Sequence, residues 1–121
     1  MFNRVFYVDL DMAWIEIPNR YLSADGKIRQ VSVSGLTFCL VFHEGHWIAF
    51  SKKCPHAGAP LDQGWCVEGF VVCPYHRQQF DLKTGRGLEG QGNYITIYSL
   101  QRDGDKWFVQ VKGSLFKRLF S

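Results

Sequence analysis

Apolar and polar positions alternate in short blocks along most of the chain, and turn residues punctuate the blocks. Val5 to Leu10 and Trp14 to Ile17 are rich in β-branched and aromatic residues and predict one strand or two, which Pro18-Asn19 ends. Asp25-Gly26 signals a turn, and the following alternation puts Val31 and Val33 on one face of a half-buried strand. Ser34-Gly35 and Glu44-Gly45 then separate the strands Thr37 to Phe42 and Trp47 to Phe50, giving three consecutive antiparallel strands. The expected core comprises Val31, Val33, Phe38, Leu40, Phe42, Ile48 and Phe50.

From Cys54 to Phe80 the alternation breaks at Pro55, Gly58, Pro60, Gly64 and Pro74. This predicts a loop-rich subdomain at about residues 53–82, with Phe70 to Val72 its one short strand. Gly85, Gly87, Gly90 and Gly92 mark a flexible turn region. Tyr94 to Leu100 and Trp107 to Lys112 then read as a closing hairpin across Asp103-Gly104-Asp105. In the tail, Leu115, Phe116, Leu119 and Phe120 fall at helical spacing opposite Lys117 and Arg118, a segment too short to stand alone and expected to pack back on the strands. The pattern is all-β and antiparallel, and 121 residues make one domain, 1–121, with one core.

Composition removes several function classes. Fourteen basic residues against eleven acidic ones, with no long like-charge run, leave no nucleic-acid footprint. Arg4, Asp9, Asp11 and Glu16 interrupt the first twenty residues, so no signal-peptide core or membrane span is expected and the chain reads as cytoplasmic. A reducing compartment disfavours disulfides. Cys39, inside the apolar run Phe38 to Phe42, and Cys66, beside Trp65, read as buried packing residues. His43 and His46 flank the Glu44-Gly45 turn and are assigned to an exposed hairpin.

The chemistry concentrates in two runs, Cys54-Pro55-His56 and Cys73-Pro74-Tyr75-His76. Two thiolates and two imidazoles suit either one zinc ion or a pair of irons. Zinc fingers usually put their cysteines on one knuckle and their histidines on a helix, and the order here is Cys, His, Cys, His. A [2Fe–2S] cluster of mixed ligation takes both sulfurs on one iron and both imidazoles on the other, which two knuckles carrying one of each can supply.

The pattern C-x-H, sixteen residues, C-x-x-H resembles the Rieske signature. The resemblance implies a β-sandwich base with a Rieske-type [2Fe–2S] cluster at one tip, Cys54 and Cys73 matching the ligands of one iron and His56 and His76 those of the other. High-potential Rieske proteins carry a further cysteine in each knuckle and hydroxyl residues two and four positions after the second histidine. Here Ala59, Tyr75, Gln78 and Phe80 stand at those places, which implies a lower potential. The resemblance further implies a non-catalytic electron carrier, a ferredoxin passing electrons from a reductase to a terminal oxidoreductase such as a Rieske oxygenase. The run Phe80-Asp81-Leu82-Lys83-Thr84-Gly85 is also similar to the small subunit of assimilatory nitrite reductases. A zinc-binding structural adaptor is the remaining alternative.

Overall fold

Turn chemistry divides the described part of the computed structural model, residues 5–7, 12–55 and 58–112, into eleven strands. In chain order they are β1 (Val5–Tyr7), β2 (Met12–Glu16), β3 (Arg29–Val33), β4 (Leu36–His43), β5 (His46–Phe50), β6 (Trp65–Val67), β7 (Phe70–Val72), β8 (Gln79–Asp81), β9 (Ile97–Tyr98), β10 (Leu100–Asp103) and β11 (Lys106–Lys112). Ser34-Gly35, Glu44-Gly45 and Glu68-Gly69 each hold both residues at positive φ, the mirror-image turn whose twist suits a two-residue hairpin. The first two join β3, β4 and β5 into the antiparallel meander that the turn signals predict.

Those strands, with β9 added beside β5, form a sheet of order β3-β4-β5-β9. A second sheet of order β1-β2-β11-β10 packs on one face of it. Between them lie Ala13, Ile15, Val109 and Val111 from one side and Val31, Val33, Phe38, Leu40 and Ala49 from the other, all buried. The opposite face of the same central sheet presents Cys39, Val41 and Phe50 to a second buried cluster, completed by Cys54, Leu61, Val71, Cys73, Phe80, Leu82 and Ile95. Four successive residues of β4, Phe38 to Val41, are therefore buried although side chains along a strand alternate in direction. The base is a sandwich, and the segment carrying both Cys-His runs forms a third layer on its outer face.

That third layer is more regular than its prolines and glycines predict. β6, β7 and β8 pair antiparallel as a sheet of their own, with β7 matching the expected strand Phe70 to Val72. The closing hairpin also differs from expectation. It consists of β10 and β11, whereas Ile97 and Tyr98 cross over to pair with Phe50 and Ala49 of β5. Phe42 and Ile48 are half-buried: Phe42 lies near the hairpin end, edge-on to Trp47 at 5.2 Å between ring centres, and Ile48 flanks the outer cluster. The tail expectation falls on residues 113–121, outside the described part.

Gly64, at the entrance to β6, has no room for a side chain, because a Cβ built there would fall on the carbonyl oxygen of Val72. Gly64→Ala is expected to lower stability by about 3 kcal/mol, at the upper end of overpacking costs, read as a shift in the denaturant midpoint.

Candidate metal centre

The first Cys-His run is a closed loop. Its ends meet where the Leu61 amide donates to the Lys52 carbonyl at 2.8 Å and Lys53 bridges to Pro60. Inside it the Cys54 amide donates to the Ala59 carbonyl and the Gly58 amide to the Cys54 carbonyl, both at 2.8 Å. The second run repeats this frame. The Cys73 amide donates to the Gln78 carbonyl at 2.8 Å, and the Arg77 amide to the Cys73 carbonyl at 3.0 Å. In each loop the residue four places after the cysteine lies in the left-handed region, Gly58 at φ 70° and Arg77 at φ 55°.

Strands launch both loops. β5 runs into the first through Ser51, Lys52 and Lys53, and β7 runs directly into Cys73. Cys54 and Cys73 are each 1% exposed and belong to one buried cluster with Ala59, Leu61, Val71 and Phe80. His76 is exposed. His56 lies outside the described residues.

Among the described residues no group of three or more Cys, His, Asp or Glu side chains is arranged to hold one metal ion. A paired-iron cluster asks for something else, two protein ligands for each metal, and two buried sulfurs on twin loops suit one half of that demand. The two cysteines therefore fit the sulfur half of a [2Fe–2S] group.

The remaining candidates separate cleanly. Cys39 is fully buried, and burial, aided by the Asp62 carboxylate and Cys66, pushes its thiol up to about 12. Burial likewise pushes the half-buried Cys66 thiol up to about 11. Both are packing residues, as their surroundings in the sequence suggest. His46 is exposed, but His43 departs from the exposed-hairpin expectation. Its Nε2 accepts the Gly69 amide at 3.0 Å and lies 3.4 Å from Glu44 Oε1, while the Gly69 carbonyl accepts the Leu82 amide at 2.9 Å. His43 thus ties the base hairpin to the β6–β7 turn. The signal was its parity: it follows Cys39 and Val41 at a period of two, on the face that turns toward the third layer.

The residues after His76 are held as well. Gln78 Oε1 accepts Asn93 Nδ2 at 2.8 Å, and the Gln79 amide donates to Gln91 Oε1 at 3.1 Å. The glycine-rich stretch that composition marks as flexible is thereby fastened to the second loop. Ala59 is buried, Tyr75 is 60% exposed, and Phe80 is fully buried in the core. Lys52, Lys53 and Arg77 are exposed.

Two outcomes follow from this geometry. A non-glycine residue in the left-handed region costs about 1–2 kcal/mol, partly offset when glycine adds freedom to the unfolded chain. Arg77→Gly is therefore expected to raise stability by up to about 1 kcal/mol, whereas Gly58→Ala lowers it, both read by denaturant titration. The Cys39 thiol keeps its proton up to about 12 when folded and loses it near 9.0 when unfolded, so its contribution is complete below pH 9.0 and is lost as pH rises toward 12. Cys39→Val should flatten the alkaline fall of stability measured between those limits.

The comparisons with known proteins agree with this construction. The family described as the Rieske [2Fe-2S] domain matches residues 13–95. Human apoptosis-inducing factor 3 is 34% identical over 90 residues, a match covering 74% of this chain but only 15% of that protein's length. The ferredoxin component of a naphthalene 1,2-dioxygenase system from Pseudomonas aeruginosa is 32% identical over 75 residues, 62% of this chain and 72% of that one. The ferredoxin of carbazole 1,9a-dioxygenase from Nocardioides aromaticivorans IC177 superposes with a TM-score of 0.68 at 26% identity, covering 79% of this chain and 95% of its own. No helix among the described residues is long and apolar enough to cross a membrane. With the family match running from the start of β2 across both Cys-His loops, the choice between one zinc and a pair of irons is resolved, and this chain belongs to the Rieske [2Fe-2S] domain family.

Proposed function

We propose that the chain is a one-electron carrier in which Cys54 and Cys73 hold one iron of the cluster and His56 and His76 the other. The observation that carries this reading is the repeated backbone frame, which buries a cysteine on each of two loops, Cys54 and Cys73, in one cluster. The cluster, when bound, supplies reversible uptake of one electron. The protein supports that role by position. Cys54 and Cys73 sit in a dry core that restricts water, and the exposed His76 offers a docked partner the shortest approach from outside.

Residues 1–121 act as one Rieske domain, with about 53–82 as its cluster-binding part. The chain takes its place between a reductase and a terminal oxidoreductase, in the cytoplasm; its similarity to ferredoxin components of dioxygenase systems supports the electron-carrier part of that reading. No residue is assigned to bond-making chemistry. The potential belongs in the lower part of the family's range, roughly −150 to +300 mV. Ala59 and Tyr75 provide no disulfide, Gln78 carries no hydroxyl and is held through its Oε1 by Asn93, and Phe80 is a core residue with no hydroxyl to donate.

Purified protein is expected to be brown and to give a Rieske-type paramagnetic signal on reduction. Cys54→Ala and Cys73→Ala should each abolish that signal while the sandwich still folds by circular dichroism. A colourless zinc protein would sink the reading, and a midpoint near the top of the range would sink its low-potential part. Reduction by a ferredoxin reductase followed by electron delivery to an oxygenase marks the ferredoxin role. Stable co-purification with a large flavin- and haem-containing subunit would place the chain in a nitrite reductase instead.

A further inference from the structure

The structure assigns Asn93 as a positioning residue for the second Cys-His loop, an inference that rests on the electron-carrier reading for its redox consequence. Three bonds converge on this side chain and its backbone. Asn93 Nδ2 donates to Gln78 Oε1 at 2.8 Å, Asn93 Oδ1 accepts Gln91 Nε2 at 3.1 Å, and the Asn93 carbonyl accepts the Gly87 amide at 2.9 Å. Gln91 passes the restraint on, because its Oε1 accepts the Gln79 amide at 3.1 Å, and the Leu88 amide donates to the Gln79 carbonyl at 3.2 Å.

Gln78 and Gln79 are the two residues through which the chain leaves the second loop. The Gln78 carbonyl closes that loop by accepting the Cys73 amide at 2.8 Å. Asn93 therefore grips, through one side-chain bond, the residue whose backbone fixes the cysteine. All three linking side-chain bonds are partly buried, so water competes poorly for them. Room for the network depends on Gly87, where a Cβ would collide with Gln91 Nε2 and stand 2.8 Å from Asn93 Oδ1.

Two consequences follow for the site. The backbone around Cys73 is held from residues 87–93 as well as from its own sheet, and the part-buried bonds among Gln78, Gln79, Gln91 and Asn93 close that side of the loop's exit. Reduction adds one negative charge to the site, and water stabilises the more charged state better than a shielded protein surface does. Releasing the network should therefore raise the reduction potential.

The test uses cluster-loaded protein and compares Asn93→Ala, Gln78→Ala and the double variant with the unsubstituted chain. Amide exchange at Cys73 and Gln79 is expected to quicken about tenfold in either single variant, and by no more in the double, as two halves of one interaction require. The midpoint potential should move upward and the signal of the reduced state change shape while cluster content stays constant. Gln78→Ala carries the same test from the other side of the bond should Asn93→Ala fail to fold. Unchanged exchange at Cys73 and Gln79, with loosening confined to residues 87–92 and no shift in potential, overturns the assignment. Unsubstituted protein that takes up no cluster overturns the electron-carrier reading instead, and exchange at Cys73 and Gln79 then decides the positioning role by itself.

Discussion

Strand β4, inside the β3-β4-β5-β9 sheet, is buried on both faces from Phe38 to Val41, and the rest of the molecule depends on that. Phe38 and Leu40 of β4 point into the sandwich, while Cys39 and Val41 point into the layer that carries the Cys-His loops. Because side chains alternate along a strand, a slip of one residue would exchange these two sets and leave both cores misfilled. The tight turns at Ser34-Gly35 and Glu44-Gly45 hold the register, pairing Val31 with Phe38 and Cys39 with Phe50. Each fully buried aliphatic or aromatic side chain on either face contributes about 1.5–3 kcal/mol of burial. The same strand therefore stabilises the scaffold and its site.

The site inherits its rigidity from this arrangement. Phe50 is buried in the outer cluster four residues before Cys54, and Val71 is buried there two residues before Cys73. Both loops thus leave strands anchored in one apolar cluster, so their relative placement is set by core packing rather than by the loops themselves. Polar ties add to this where packing thins out. His43 holds the near end of β7 through the Gly69 amide, and the Leu82 amide holds the Gly69 carbonyl. The strand that delivers Cys73 is accordingly fixed at the end remote from the cysteine as well.

What was legible in the sequence was what is local. The two Cys-His runs are readable because ligand spacing within a loop needs no tertiary information, and β3 to β5 are readable because alternation and turn dipeptides agree. The three-residue strands β6 and β8 were hidden by their length. β6 is three apolar residues in a row, Trp65-Cys66-Val67, so it shows no alternation, although Glu68-Gly69 repeats the chemistry of Glu44-Gly45. The segment Tyr94 to Leu100 looks continuous, yet the chain changes sheets at Ser99, whose carbonyl accepts the Gln110 amide at 2.9 Å. Pairing partners far apart in sequence decide that break, and nothing in the segment itself announces it. Asn93 was missed for the same reason: its partner Gln78 lies fifteen residues away and nothing local in the sequence links the two.

The positions where this chain departs from high-potential relatives acquire a physical meaning from the fold. Phe80 fills the core that both loops share, Ala59 is small enough to be buried inside the first loop, and Gln78 is the anchor for residues 87–93. A serine at 78 would remove an anchor, and a hydroxyl added to the ring at 80 would bury a polar group in the outer cluster, at a cost of about 1–3 kcal/mol if left unpaired. The residues at these positions and the firm seating of the second loop are thus linked: Phe80 is committed to the shared core and Gln78 to anchoring residues 87–93, so neither can be changed without disturbing the seating.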